Sequence, residues 1–342
     1  MENILKEIPK VELHCHLDGS VRAETMYELL AKDEKIGTKS FKEFQEMVRV
    51  KDDCKSLVEY LEKFNYPLKV MQGKPNIERI TYELLEDLNT QNVKYVEIRF
   101  APTLHMKEGL TFDEVVESVL KGMERAKKGF GILSNAVLIC MRHESVNESI
   151  KVVEMGKKYL GKGVVAVDLA GNEGDFPPEI HKEAFDLAYE KGYHITVHAG
   201  ETGIEENIIK SIELLHAQRI GHGIAAIKNS RIMEMVKKNH ISLEMCPISN
   251  LQTKAVKYIE DYPIKTFMDK GLRVTINTDN ATVSNTSLER EYGLLMDKLG
   301  FSMDEILKLI DNSIEAAFLP KGEKMSLRKT IKDELIKRGI LQ

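Results

Sequence analysis

Two histidines set one residue apart are the first residues in this chain that could do chemistry. In Val11-Glu12-Leu13-His14-Cys15-His16-Leu17-Asp18 the apolar residues mark an extended strand. Side chains on a strand alternate between its faces. His14, His16 and Asp18 therefore share one face, and Leu13 and Leu17 take the other. Two imidazoles side by side in a buried strand pack poorly unless something binds both, and a metal cation does so through the ring nitrogen lone pairs. A chance His-x-His would leave the same local pattern, so the rest of the chain must decide. Three further segments bear on it. His194-Ile195-Thr196-Val197-His198-Ala199-Gly200-Glu201 ends a strand at His198 and carries Glu201 on the turn that follows. Arg219-Ile220-Gly221-His222-Gly223 sets a histidine between two glycines, which permit close backbone approach to a ligand. Arg273-Val274-Thr275-Ile276-Asn277-Thr278-Asp279-Asn280 is an apolar strand ending in polar acceptors. His and Asp together suit a borderline divalent ion such as zinc. His194, at a strand start, belongs to the opposite end. His105, His143, His181, His216 and His240 have no comparable setting and read as surface or packing residues.

The elements that position these groups are short apolar runs alternating with helical stretches. The runs are Val11–Leu17, Tyr95–Phe100, Asn135–Met141, Val164–Leu169, His194–His198, Arg219–Gly223, Ile241–Met245 and Arg273–Asn277. They are rich in Val, Ile and Leu, as buried parallel strands are. Helix-period segments such as Thr111–Lys128 and Pro178–Lys191 lie between them. The first opens with a capping-box pair, Thr111 and Glu114. Such alternation predicts a parallel sheet. Eight strands suggest closure into a (β/α)₈ barrel, with an open doubly wound sheet as the alternative. In either fold the strand ends that carry His198 and Asp279 form the face where active sites lie. A long gap follows the first strand. Within it Leu57, Tyr60, Leu61, Phe64 and Leu68 recur at helical spacing and predict an amphipathic helix ending near Pro67. That helix either packs on the core or forms an apolar wall over the strand ends. No linker or repeat divides the chain, so 1–342 reads as a single domain with a helical lid insertion at about 20–92.

Composition narrows the class. The 342 residues are 42% hydrophobic and 30% charged, with a net charge of −5. That is enough apolar residue for a large core, and it offers no basic excess for nucleic acid. Four scattered cysteines without a C-x-x-C pair suit a reducing cytoplasm. The N-terminus lacks a secretory pattern, and no apolar run approaches the ~20 residues of a membrane span. A soluble cytoplasmic enzyme is expected, with no membrane partner; a monomer fits as well as an assembly.

The sequence resembles the adenosine deaminase family of amidohydrolase barrels. The resemblance rests on Glu12–Ser20, on Asp168-Leu169-Ala170-Gly171-Asn172-Glu173 and on His198-Ala199-Gly200-Glu201. It continues through Arg219–Gly223, Cys246-Pro247-Ile248-Ser249-Asn250 and Asn277-Thr278-Asp279-Asn280, in the family's order and across nearly the whole chain. It implies a TIM-type barrel that deaminates adenosine, and 2′-deoxyadenosine with it. It implies one catalytic zinc held by His14, His16, His198 and Asp279. Glu201 would then protonate purine N1, and His222 would orient and deprotonate the attacking water. The Gly171 N–H would meet N3, Asp18 the ribose 5′-hydroxyl and Asn280 purine N7, with Leu57, Tyr60, Leu61 and Phe64 as the apolar cover. Two departures stand out: Asn280 where many members carry aspartate, and Arg99-Phe100-Ala101-Pro102 where some carry Arg-Tyr-Ser-Pro. An adenine or modified-adenosine deaminase is the nearest alternative, although free adenine has no 5′-hydroxyl for Asp18 to bind. A metal-binding barrel without catalysis would not need Glu201 and His222. The combined H-x-E…P-C-x-x-C signature of polynucleotide deaminases is absent.

Overall fold

The alternation of short apolar runs and helices produces eight strands: β1 (Lys10–His16), β2 (Val93–Phe100), β3 (Leu133–Met141), β4 (Val164–Ala170), β5 (His194–Ala199), β6 (Arg219–His222), β7 (Ser242–Met245) and β8 (Arg273–Ile276). They lie in chain order, each parallel to the next. The structure, a computed structural model, describes residues 2–32, 39–51 and 53–341. The ring closes where the chain beyond β8 meets β1. His16 N–H donates to the Asp279 carbonyl and Asp279 N–H to the His14 carbonyl, each at 2.8 Å. The seam of the barrel is thus stitched by the backbone of three candidate ligands, which fixes their spacing directly. The open-sheet alternative is set aside by this closure.

The helices form where the sequence places them. Phe112–Phe130 starts at Thr111, whose side chain accepts from Glu114 N–H while Glu114 caps Thr111 in return, and it ends at Gly131 with φ 76°. Val115, Val116, Val119, Met123 and Ala126 on its inner face are buried. At the N-terminal mouth of the barrel the helix Met303–Ala316 packs on β8 and β1. Phe318, just after it, lies under Arg219, whose guanidinium is 3.6 Å from the ring centroid. The His194 ring stacks flat on Phe318 at 4.5 Å, which places His194 at the end opposite the candidate site. No helix among the described residues is long and apolar enough to cross a membrane.

The segment between β1 and β2 differs from its sequence reading in one respect. The amphipathic stretch is not one helix ending near Pro67. It is Leu57–Leu61, a 3₁₀ turn at Glu62–Phe64, and Asn65–Val70. The 3₁₀ turn restarts the helix at Asn65, so Pro67 falls in a first turn. There a missing N–H leaves no bond unmade, and the helix runs on through Val70. Residues 33–38 and 52 of the expected lid insertion lie outside the described residues.

Candidate active site

Four imidazoles and a carboxylate converge at the C-terminal ends of β1, β5 and β6 and just beyond β8. Ligand atoms of His14, His198, His222 and Asp279 all lie within 4.8 Å of one another. His16 joins them, its Nε2 3.2 Å from His198 Nε2 and 3.4 Å from Asp279 Oδ1. All five are buried. The inner ring of hydrogen bonds fixes how the imidazoles are presented. Glu244 Oε2 accepts from His14 Nδ1 at 2.8 Å, and Asp168 Oδ1 accepts from His198 Nδ1 at 3.1 Å. An ionised carboxylate only accepts, so each imidazole carries its proton on Nδ1 and turns the Nε2 lone pair toward the cluster. His14 Nε2 is buried and has no hydrogen-bond partner. Two ring nitrogens facing each other at 3.2 Å need a proton or a cation between them. These are the features of a metal site, and the donor set fits zinc.

The charges beneath the site point the same way. Glu97, Asp168, Glu244 and Asp279 are buried, and so are Arg99 and Arg219. Arg99 bridges Asp168 and Glu244 at 2.8 Å each, and Arg219 reaches Glu97 and Glu244 at 2.5 Å each. Four carboxylates against two guanidiniums leave a net charge of −2. Burial alone would raise the Glu244 carboxyl, but Arg99 and Arg219 outweigh it and hold the group well below the usual carboxylate range. Asp279 is likewise held low, against its burial, by the His14 imidazole, whose Nε2 lies 3.5 Å from Oδ1, and by the other imidazoles around it. A buried double negative charge facing unprotonated nitrogens is complementary to a divalent cation.

Beside this cluster stands an acid. Glu201 Oε1 accepts from Thr253 Oγ1 at 2.9 Å, and Oε2 lies 3.5 Å from His222 Nε2. Burial first, then the Asp279 charge, pushes its carboxyl up to about 8, so at neutral pH it carries a proton it can give. Burial holds the His222 imidazole down at about 4, in its neutral form. Its Nδ1 faces Asn250 Nδ2 at 2.9 Å, and Asn250 Oδ1 accepts from Tyr262 O–H at 3.0 Å. His222 and Asp279 both adopt left-handed backbone, with φ 63° and 60°. That conformation is strained for residues with a Cβ and gathers at functional sites.

A cavity of about 370 Å³ opens onto His16 and Asp18 and is walled by Leu61, Phe64, Leu68, Ala101, Leu104, Met141 and Gly171. Asp18 sits in the 3₁₀ turn beyond β1, and burial pushes its carboxyl up to about 6. Gly171 has φ 114°, which a residue with a Cβ rarely adopts. Asn280 is buried against Gly19, and its Oδ1 has no hydrogen-bond partner. Of the apolar cover read from sequence, Leu61 and Phe64 line this cavity. Tyr60 and Leu57 do not. Tyr60 packs onto Val50, Cys54 and Val283, with its hydroxyl 2.6 Å from Ser284 Oγ and close to Ser249, Asn280 and the Asp279 carboxylate. Leu57 borders a neighbouring cavity that opens on Glu201 from the other side. His105 and His181 are buried packing residues, whereas His143 and Lys107 stand at the mouth of the substrate-sized cavity. Sequence reasoning missed Glu244, Asp168, Asn250, Ser249 and Thr253 as partners of the site. A carboxylate inside an apolar strand, as in Ser242-Leu243-Glu244-Met245, was the available signal for the first two.

A closed parallel barrel whose carboxyl rim presents imidazoles, carboxylates and a protonated acid around a purine-sized cavity is that of a hydrolase equipped to hold a cation. The chain belongs to the adenosine deaminase family, which it matches over residues 9–334. It is 52% identical to the adenosine deaminase of Clostridium kluyveri over 94% of this chain and 93% of that one. It is 50% identical to the adenosine deaminase of Clostridium acetobutylicum, covering 95% and 97%. Among solved structures it resembles the Arabidopsis N6-mAMP deaminase, with a TM-score of 0.87 at 27% identity, covering 97% of this chain and 99% of that one.

Proposed function

We propose that the protein hydrolyses adenosine to inosine and ammonia, with one zinc ion held by His14, His16, His198 and Asp279. The observation that carries the reading is Glu201, a buried carboxyl 3.5 Å from His222 beside the imidazole cluster, pushed up by burial and the Asp279 charge. When bound, zinc supplies a nucleophile of hydroxide strength at neutral pH. The protein's own groups do the rest. Gly171 N–H and Asn280 hold the purine by N3 and N7, and the Asn280 amide can donate where a carboxylate would first need a proton. Asp18 takes the 5′-hydroxyl. Glu201 donates to N1, which makes C6 electrophilic. A water oxygen bonds to C6 as one of its protons passes by His222 and Asp279 to the amine; the C6–amino bond breaks, ammonia leaves, and the remaining hydroxyl proton returns to Glu201. Leu61, Phe64 and Leu68 cover the ring as a lid and keep bulk water out. The four cysteines are free and buried, which supports placement in the cytoplasm.

A second reading has one observation in its favour. Lys107 and His143 stand at the cavity mouth, where a 5′-phosphate could meet them, so a modified-AMP substrate competes with adenosine. Purified protein mixed with adenosine should show the ultraviolet change to inosine, and a chelator should abolish it. Turnover of AMP or its N6-methyl derivative with kcat/KM above that of adenosine would replace the first reading with the second.

A further inference from the structure

Glu173 follows β4 by three residues and is buried, yet it touches none of the groups assigned a chemical role. Its carboxylate is filled by donors from the turn after β5 and from the helix Glu205–Leu214 that follows it. Oε1 accepts from Gly200 N–H at 2.5 Å and Asn207 Nδ2 at 3.0 Å. Oε2 accepts from Thr202 N–H at 2.9 Å and Thr202 Oγ1 at 3.0 Å. The two backbone donors are the residues immediately before and after Glu201. Gly200 has φ 77° and no room for a Cβ, which would come within 2.6 Å of Ile208 Cδ1, so this turn has one tight conformation.

We propose that Glu173 is a positioning residue for Glu201: it clamps both flanks of the acid's backbone and ties them to the loop that carries Gly171. The proposal rests on the deaminase reading above. In that reading Gly171 meets N3 and Glu201 meets N1 of the same ring. Among the described residues Glu173, two residues after Gly171, is the one side chain hydrogen-bonded to the backbone of both flanks of Glu201, so it sets the distance between the two contacts. Four hydrogen bonds to one ionised carboxylate are of the strong, charge-assisted kind. The negative charge also stands close enough to favour the neutral form of the acid, after burial and Asp279. A peptide turn held by water or by a neutral side chain would keep the fold but lose this registry.

The test is a double-mutant cycle on the zinc-loaded enzyme, read as kcat and KM for adenosine. Glu173→Gln keeps the volume but turns an NH₂ toward two of the four donors. A misplaced acid costs ~10- to 100-fold in kcat, with KM and zinc content close to wild type. In a Glu201→Gln background the same change should cost less than ~3-fold, since residues acting through one group are not additive. Should Glu173→Gln fail to fold, Thr202→Val removes a single donor and should lower kcat alone, with its effect likewise vanishing in the Glu201→Gln background. An unchanged kcat, or an equal loss in both backgrounds, overturns the proposal. Failure of the wild-type enzyme to turn over adenosine is a separate result that overturns the deaminase reading instead.

Discussion

Glu244 offers the sharpest test of how the barrel interior holds the metal. Its carboxylate accepts from His14 Nδ1 at 2.8 Å, Arg99 at 2.8 Å and Thr196 Oγ1 at 3.1 Å, and lies 2.5 Å from Arg219 Nε. Glu244→Gln keeps the shape and removes the charge. Two separate effects follow. The first is on stability: removing one partner of a buried ion pair costs ~3–5 kcal/mol. Here Arg99 keeps Asp168 and Arg219 keeps Glu97, so the lower end, about 3 kcal/mol, applies. At ~2.1 cal/mol/K per residue, 342 residues give an unfolding entropy near ~0.7 kcal/mol/K, so Tm should fall by roughly 4 °C. The second is on metal binding. Without a carboxylate acceptor His14 is no longer held with its Nε2 lone pair toward the site, and the buried charge drops from −2 to −1. Loss of such a partner costs ~10- to 100-fold in affinity. Calorimetric unfolding of the zinc-loaded protein reads the first effect, and competition with a fluorescent chelator reads the second. Zinc affinity within twofold of wild type would refute the argument that Glu244 orients His14, whatever happens to Tm.

Glu201→Gln should keep its zinc and lose ~10²- to 10⁴-fold in kcat, the usual span for general acid–base catalysis. The acid must be protonated to act, so wild-type kcat/KM should decline as pH rises through about 8, or somewhat lower once a cation sits beside it, and a pH profile of the variant should lack that limb. Asp18→Ala should raise KM for adenosine and narrow the preference over AMP, because a carboxylate facing a 5′-phosphate costs several kcal/mol; equal kcat/KM for adenosine and AMP in the wild type would remove Asp18 from the ribose contact. Phe64→Ala, on the cavity wall, should raise KM for adenosine, whereas Tyr60→Phe should cost ~1 kcal/mol of stability through the lost bond to Ser284. Steady-state kinetics and a denaturant titration separate those two outcomes.

The barrel was legible because parallel strands buried on both faces must be apolar, and β1 to β8 each read as such a run. The candidate ligands were legible for a different reason: a strand's period of two put His14 and His16 on one face, and strand ends put His198 and Asp279 on one rim. The partners were not. Asp168, Glu244 and Asn250 come from strands and turns far from the histidines in sequence, and only barrel closure shows which imidazole each one meets. Tyr60 departs from the cavity wall for a local reason. Helical spacing assumes one unbroken helix, and the 3₁₀ turn at Glu62–Phe64 turned Tyr60 toward Val283 while Phe64 kept the cavity. Lys107 was invisible as a rim residue because it lies in the loop after β2, where no periodicity applies.

His222 and Asp279, held at positive φ, give the molecule an evolutionary tension. Each side chain occupies a backbone shape that glycine would adopt more readily, by roughly 1 kcal/mol or more. A selection for heat resistance alone, blind to turnover, would drift toward glycine at both positions and would also dilute the crowded negative charge at the barrel rim. In the proposed reaction both side chains carry chemistry, and keeping them would cost some of the thermal margin the fold could otherwise provide.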